Sequence, residues 1–244
     1  MLNKDLNLLI SIKSIDEVSS KYFNNVDILD LKNPNEGAIG SWEVDKILKT
    51  VKIYGKKIKI SATAGEDRKP EIIKKKLKQF DKLGLDFIKF GLFANNQNEF
   101  DKLLNVIEVN KFKTELVPVI FADNFFLKKS MIQNIFKIKN KGFKFILIDT
   151  YSKLSDNLMD LYGADFLKKI LKVSLENKIF VGLAGKLNIF HLPELVELQP
   201  KIIGFRSAIC KNNNRVSSLS IEKVKDLYYS ILSSKRRAIH NAGA

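Results

Sequence analysis

Eight short apolar runs, each followed by a longer amphipathic stretch, leave this chain few ways to fold. The runs are L-N-L-L-I-S-I (6–12), V-D-I-L-D-L-K (26–32), K-I-K-I-S-A-T (57–63) and D-F-I-K-F-G-L (86–92). They continue with E-L-V-P-V-I-F-A (115–122), F-K-F-I-L-I-D-T (143–150), I-F-V-G-L-A-G (179–185) and I-I-G-F-R-S-A (202–208). Helices are expected between them, over about 14–24, 43–54, 70–83, 97–111, 128–140, 156–177, 190–197 and 220–234. A strand-then-helix unit repeated eight times in 244 residues predicts an α/β fold, the (β/α)8 TIM barrel, with 1–244 as a single domain. A doubly wound open sheet competes, but it usually has fewer strands or a second domain. No Gly/Ser- or Pro-rich linker divides this chain, and it has only five prolines. Ser14 with Glu17 three residues on has capping-box spacing, and Ser220 precedes the last helix. The glycine-rich stretch N-E-G-A-I-G-S (35–41) is expected to be a long loop after the second strand.

Composition narrows the function classes. No apolar run reaches the roughly 18 residues that span a bilayer. The N-terminus lacks the order of charged head, apolar stretch and small-residue cleavage site that marks a signal peptide, so a cytoplasmic location is expected. The single cysteine, Cys210, cannot form an intramolecular disulfide and is expected to be a small half-buried hydrophobe at a strand end. A net charge of +15 raises nucleic acid and anionic membranes as partners. The lysines, however, are scattered over polar helix faces. The densest clusters, I-I-K-K-K-L-K (72–78) and S-S-K-R-R (233–237), are a solvated helix face and a chain end. Neither a nucleic-acid nor a membrane partner is expected. A general positive field suits a small phosphorylated substrate, and a homo-oligomer is compatible with the sequence.

Barrels of this kind work at the C-terminal mouths of their strands. Strand two offers Asp30 and Lys32 there, strand three Ser61 and Thr63, strand four Lys89, and strand five Asp123. Strand six offers Asp149 and Thr150, with Lys153 just beyond. Strand seven ends in Gly185, and strand eight carries Arg206 and Ser207. Alternation along a strand sorts these residues. Ile28, Asp30 and Lys32 share one face, as do Phe87, Lys89 and Gly91, and Phe145, Leu147 and Asp149. The opposite, wholly apolar faces should pack on helices, which points the charges into the mouth. Ions left unpaired there are costly, so three strands carrying charge at matching depth mark a candidate site.

Lysines beside aspartates suit imine chemistry. An amine attacks a carbonyl only when neutral, and burial with a second cation nearby favours the neutral form. Carboxylates can carry protons for dehydration and enolisation. His191 and His240 are the only histidines; neither is placed to ligate a metal, and His191 is expected at a helix end. No Ser-His-Asp arrangement is visible. The glycine-containing ends G-L-A-G and G-F-R-S-A suit phosphate held by backbone N–H groups, with Arg206 nearby. The residues alone leave open a Schiff-base aldolase, a phosphosugar isomerase, a non-catalytic basic binding protein and an inactive barrel scaffold.

The segments D-L-K-N-P-N-E-G-A-I-G (30–40), S-A-T-A-G (61–65), D-F-I-K-F-G-L (86–92), I-D-T (148–150), G-L-A-G (182–185) and G-F-R-S-A-I-C (204–210) add a resemblance. In this order they are similar to the (5-formylfuran-3-yl)methyl phosphate synthase family, also called 4-(hydroxymethyl)-2-furancarboxaldehyde-phosphate synthase, from about residue 6 to about 232. The D-x-K-N-P-x-E-G-x-x-G segment is the specific one. The resemblance implies a (β/α)8 barrel without metal or organic cofactor that condenses two glyceraldehyde 3-phosphate molecules, losing phosphate and water, on the way to methanofuran-type one-carbon cofactors. It implies a carbon–oxygen lyase acting on phosphates. It places the Schiff-base lysine on Lys32, a proton-accepting lysine on Lys89, supporting aspartates on Asp30 and Asp149, and a further lysine on Lys153. The family usually has Ser where this chain has Lys186 and Gly where it has Ser207. Both departures fall in the expected phosphate loops.

Overall fold

The computed structural model describes residues 6–152 and 156–242, with side chains through 236. The strands are β1 (Asn7–Ile12), β2 (Ile28–Leu31), β3 (Lys59–Thr63), β4 (Phe87–Gly91), β5 (Glu115–Phe121), β6 (Phe145–Asp149), β7 (Phe180–Leu183) and β8 (Ile202–Phe205). All pair in parallel, in chain order, and β8 closes on β1. The helices are α1 (Ser20–Phe23), α2 (Val44–Tyr54), α3 (Pro70–Phe80), α4 (Gln97–Asn105), α5 (Phe125–Lys129), α6 (Met131–Asn140), α7 (Leu158–Glu176), α8 (Leu192–Leu198) and α9 (Ile221–Ala242). This is the (β/α)8 barrel that the alternation predicts.

Two-residue periodicity splits the core in two. Leu9, Ile28, Phe87, Val119, Phe145 and Leu147 fill the barrel. Their strand neighbours Leu8, Ile10, Leu29, Ile88, Ile146 and Ile148 face outward, where Ile47, Leu77, Leu104 and Leu167 of the helices cover them. Register then sets the depth of the polar residues. Ser11 lies beside Asp30, and Asp30 beside Ser61; one step higher, Thr63 lies beside Lys89. Across the barrel Phe121 lies beside Asp149.

Three local expectations change. The capping box at Ser14 is absent, because the Glu17 carboxylate is taken by Arg206 and by the Lys13 N–H at 2.8 Å. The expected first helix is accordingly a 3-10 turn (Ile15–Glu17) and the single turn of α1. The expected helix at 97–111 stops at Asn105, with a separate 3-10 turn at Val109–Lys111. The expected loop at 35–41 is ordered over the mouth. After a 3-10 turn (Pro34–Glu36), Gly37 takes φ 98°, and Ala38 and Ile39 join the inner core. Glu66 accepts the Ala38 N–H, Asn33 N–H donates to Gly40 O at 2.9 Å, and Thr63 Oγ1 donates to the same oxygen at 2.6 Å. The segment is thus a plug over one side of the barrel. No helix among the described residues is long and apolar enough to cross a membrane.

Candidate active site

At the C-terminal mouth two lysines and two aspartates form two ion pairs. Lys89 Nζ lies 2.6 Å from Asp30 Oδ2, and Lys32 Nζ lies 3.4 Å from Asp149 Oδ2. Asp30 is fully buried and Lys89 is 4 % exposed. The local sequence explains how such burial is tolerated. Ser11 of β1 donates to Asp30 Oδ2 at 2.8 Å, and Ser61 of β3 donates to Oδ1. Asp30 therefore has an acceptor role filled on both oxygens by neighbouring strands, as a buried carboxylate requires. Burial alone would lift its pKa, but Lys89 and then Lys32 override that and hold it below the ordinary carboxylate range. Asp149 Oδ1 is fixed by the Thr150 N–H at 2.8 Å, leaving Oδ2 for Lys32.

Lys32 differs from Lys89 in its surroundings. Burial pushes its pKa below the usual lysine range; Lys89 and Arg215 push the same way, against the pull of Asp149 and Asp30. It borders a cavity of about 860 Å³ together with Lys89, Asp149, Gly185 and Ser207. A buried amine, biased toward neutrality and open to a cavity, can act as a nucleophile.

The other expected site residues divide into two groups. Gly185, Ser207 and Thr150 border the cavity, as do Lys186 and Ala208. Gly185 has φ 95°, and a Cβ there would come within 2.9 Å of the Thr150 nitrogen, so the β7 end needs glycine to pass close to β6. By contrast, Ser61, Thr63 and Asp123 spend their polar atoms on the protein, and so does Arg206 although it too borders the cavity. Ser61 holds Asp30, and Thr63 holds the plug. Asp123 accepts the N–H groups of Tyr151 at 2.9 Å and Ser152 at 2.6 Å, tying β5 to the loop after β6.

Arg206 has all five of its N–H donors taken by the protein. They go to Glu17 (2.6 and 3.2 Å), Ser11 O (3.0 Å), Arg215 O (2.8 Å) and Ser217 O (2.8 Å). No donor is left for phosphate. Its buried pair with Glu17 instead fastens the segment after β8 to the segment after β1. Arg206→Ala is therefore expected to lower stability by about 3 kcal/mol, the cost of stranding a buried partner. Chemical denaturation of wild type and variant measures this. Unchanged stability with weakened phosphate binding would restore the direct role.

Lys153 lies outside the described residues. His191 sits in a turn at the start of α8, where its Nδ1 accepts the Asn188 N–H at 3.2 Å, as the helix-end reading expects. Cys210 is fully buried rather than half-buried, and burial raises its thiol pKa. Among the described residues, no group of three His, Cys, Asp or Glu is placed to hold a metal ion. Ser11 escaped the sequence reading, although its parity with Leu9 in the first strand places it inside. Arg215 and Glu66 also escaped it. Both sit in loops, where periodicity carries no signal.

The fold and these side chains define a (β/α)8 barrel with a buried lysine–carboxylate centre at its mouth. A family model described as 4-HFC-P synthase matches residues 8–228. The chain belongs to that family. It is 28 % identical over 232 residues to the (5-formylfuran-3-yl)methyl phosphate synthase of Archaeoglobus fulgidus, an alignment covering 91 % of this chain and 97 % of that one. It is 27 % identical over 234 residues to the synthase of the same name from Methanocaldococcus jannaschii, covering 90 % and 98 %. Among solved structures it resembles 3-hexulose-6-phosphate synthase from Salmonella typhimurium, with a TM-score of 0.64 at 13 % identity over 93 % of this chain and 99 % of that one. Phosphoribosyl anthranilate isomerase from Thermus thermophilus gives 0.61 at 14 % identity over 93 % and 98 %. At such identities these two likenesses bear on the fold alone.

Proposed function

We propose that this protein is a (5-formylfuran-3-yl)methyl phosphate synthase that joins two molecules of glyceraldehyde 3-phosphate through an imine on Lys32, in the pathway to methanofuran-type cofactors. The observation that carries the reading is Lys32 itself, a buried amine beside the cavity, 3.4 Å from Asp149 and biased toward its neutral form. Membership of the family supports the product.

In this mechanism the Lys32 amine adds to a triose carbonyl, and Asp149, at hydrogen-bond distance, carries the proton that leaves with water as the imine forms. The iminium withdraws electrons from the adjacent carbon, which loses a proton to the Lys89–Asp30 pair. Elimination of phosphate leaves a terminal enol carbon, which attacks the central carbonyl carbon of the second triose phosphate after that molecule's isomerisation to the ketone. Ring closure, net loss of two waters and hydrolysis of the imine give the furan aldehyde and return the Lys32 amine. Gly185 and the Ser207–Ala208 turn border the cavity where backbone N–H groups can hold phosphate. Lys153, carried over from the family pattern, is proposed as a further proton carrier. The reaction is a carbon–oxygen lyase step on a phosphate ester followed by condensation. The test is to mix the purified protein with glyceraldehyde 3-phosphate and follow furan absorbance and phosphate release. A furan product with one phosphate released per ring is expected, and its absence at high enzyme concentration would refute the assignment.

Imine formation should also report the state of Lys32. Only the neutral amine reacts, so the rate of borohydride-trapped adduct should rise with pH and level off below the ordinary lysine range. Asp149 is the strongest charge holding the proton on Lys32. Asp149→Asn should therefore move the rising limb to lower pH, whatever it does to the maximum. A limb that stays put or moves up would contradict this electrostatic account.

A further inference from the structure

With Arg206 committed to Glu17 and three carbonyls, a second guanidinium deserves the question of what it is for. Arg215 lies in the segment between β8 and α9 and borders the same cavity as Lys32 and Asp149. Among the described residues its side chain makes one hydrogen bond, from Nη2 to Gly37 O of the plug at 2.7 Å. Its Nε is buried without a partner among the described residues. A guanidinium donor taken out of water is normally paired, because desolvating it without compensation is costly.

The carboxylates that attract Arg215 are occupied. Asp149 is held by Lys32 and the Thr150 N–H. Glu66 is held by the N–H groups of Ala38 and Ile39 and by the Tyr151 hydroxyl at 3.0 Å. Arg206, itself cationic, lies close enough to act against the charge of Arg215. Yet Arg206 also grips the Arg215 carbonyl at 2.8 Å and the Ser217 carbonyl at 2.8 Å, so the backbone that presents Arg215 is fastened from below. A braced, half-buried cation at the wall of a cavity, with a single side-chain hydrogen bond among the described residues, is arranged to receive an anion from solution.

We propose that Arg215 is the residue that binds the phosphate of the phosphorylated substrate, in the part of the cavity next to Lys32. Its planar fork can offer parallel donors to two phosphate oxygens, which a lysine cannot match. Because Nη2 already holds the plug through Gly37, the bound phosphate is also tied to the segment that covers the barrel. The proposal rests on the reading that the substrate carries a phosphate.

Glycerol 3-phosphate is the appropriate probe, since it has the phosphate but no carbonyl to react with Lys32. Isothermal titration should show binding to the wild-type protein. The affinity should fall by about 10- to 100-fold in Arg215→Met, the scale for hydrogen bonds to a charged group. In Arg215→Lys, which keeps the charge and loses the fork, a smaller loss of several-fold is expected. Glycerol serves as the control ligand and should not discriminate among the three proteins. If both folded variants bind glycerol 3-phosphate like wild type, Arg215 does not hold the phosphate, while the phosphorylated-substrate reading stands. If Arg215→Met fails to fold, wild-type affinity in Arg215→Lys is enough to overturn the assignment. If the wild-type protein does not bind the probe at all, both this proposal and the phosphorylated-substrate reading fail.

Discussion

Lys32→Met is expected to abolish furan formation while leaving the protein folded. Removing a covalent nucleophile costs on the order of 10⁴-fold or more in turnover. Lys32→Arg should fail equally, because a guanidinium stays protonated and cannot form the imine. The stability outcome follows from the sign of the Lys32 shift. Its folded pKa lies below its unfolded value, with burial as the main cause. The unfolded chain therefore holds that proton more tightly, and the ionisable group weakens the fold between the lowered pKa and the ordinary lysine range and below. Replacing it with an apolar side chain removes that penalty. Asp149, unlike the fully buried Asp30, borders the cavity and keeps the Thr150 N–H, so the melting temperature at neutral pH should not fall. Loss of activity with a retained or raised melting temperature separates a strained functional residue from a structural one. A large drop in melting temperature would instead make Lys32 a structural ion.

Lys89→Met should behave in the opposite way on stability. It strands Asp30, which is fully buried and has Lys89 as its nearest cation at 2.6 Å. Breaking one side of a buried pair costs about 3–5 kcal/mol. In a protein of this size that lowers the melting temperature by roughly 10 °C. Activity should fall as well, by about 10²- to 10⁴-fold, if Lys89 carries a proton in the reaction. The pH dependence supplies an independent sign. Asp30 is held below the ordinary carboxylate range, so its contribution to stability is fully present above that range and is lost as pH falls toward its lowered folded value. Lys89→Met should flatten that acid-side loss. Acid denaturation followed by circular dichroism on both proteins measures the difference, and parallel curves would contradict the pairing.

The barrel was legible because periodicity and alternation are local. Ile28–Asp30 and Leu147–Asp149 on the inner face, against Leu29–Leu31 and Ile146–Ile148 outside, follow from a two-residue repeat alone. The same repeat brought Asp30, Lys32, Lys89 and Asp149 to one mouth. What periodicity cannot show is which partner a polar group chooses across the barrel. Arg206 sits at a strand end where phosphate contacts are common, but its donors turn toward Glu17, 189 residues earlier in the chain. Thr63 and Asp123 likewise face inward and upward, yet they hold loops whose paths no local rule dictates. Arg215 carried no signal in the sequence because its meaning depends on a negative, the absence among the described residues of a carboxylate free to pair with it. Such facts appear only once the loops are placed.

The most direct measurement is to trap the imine on the wild-type protein. Incubation with glyceraldehyde 3-phosphate and borohydride, followed by proteolysis and mass mapping, locates the modified lysine among the many this chain carries. The adduct is expected on Lys32, with none on Lys89 and none in the Lys32→Met protein. A stable adduct on another lysine, or no adduct under conditions where furan forms, would contradict the assignment of Lys32 as the nucleophile.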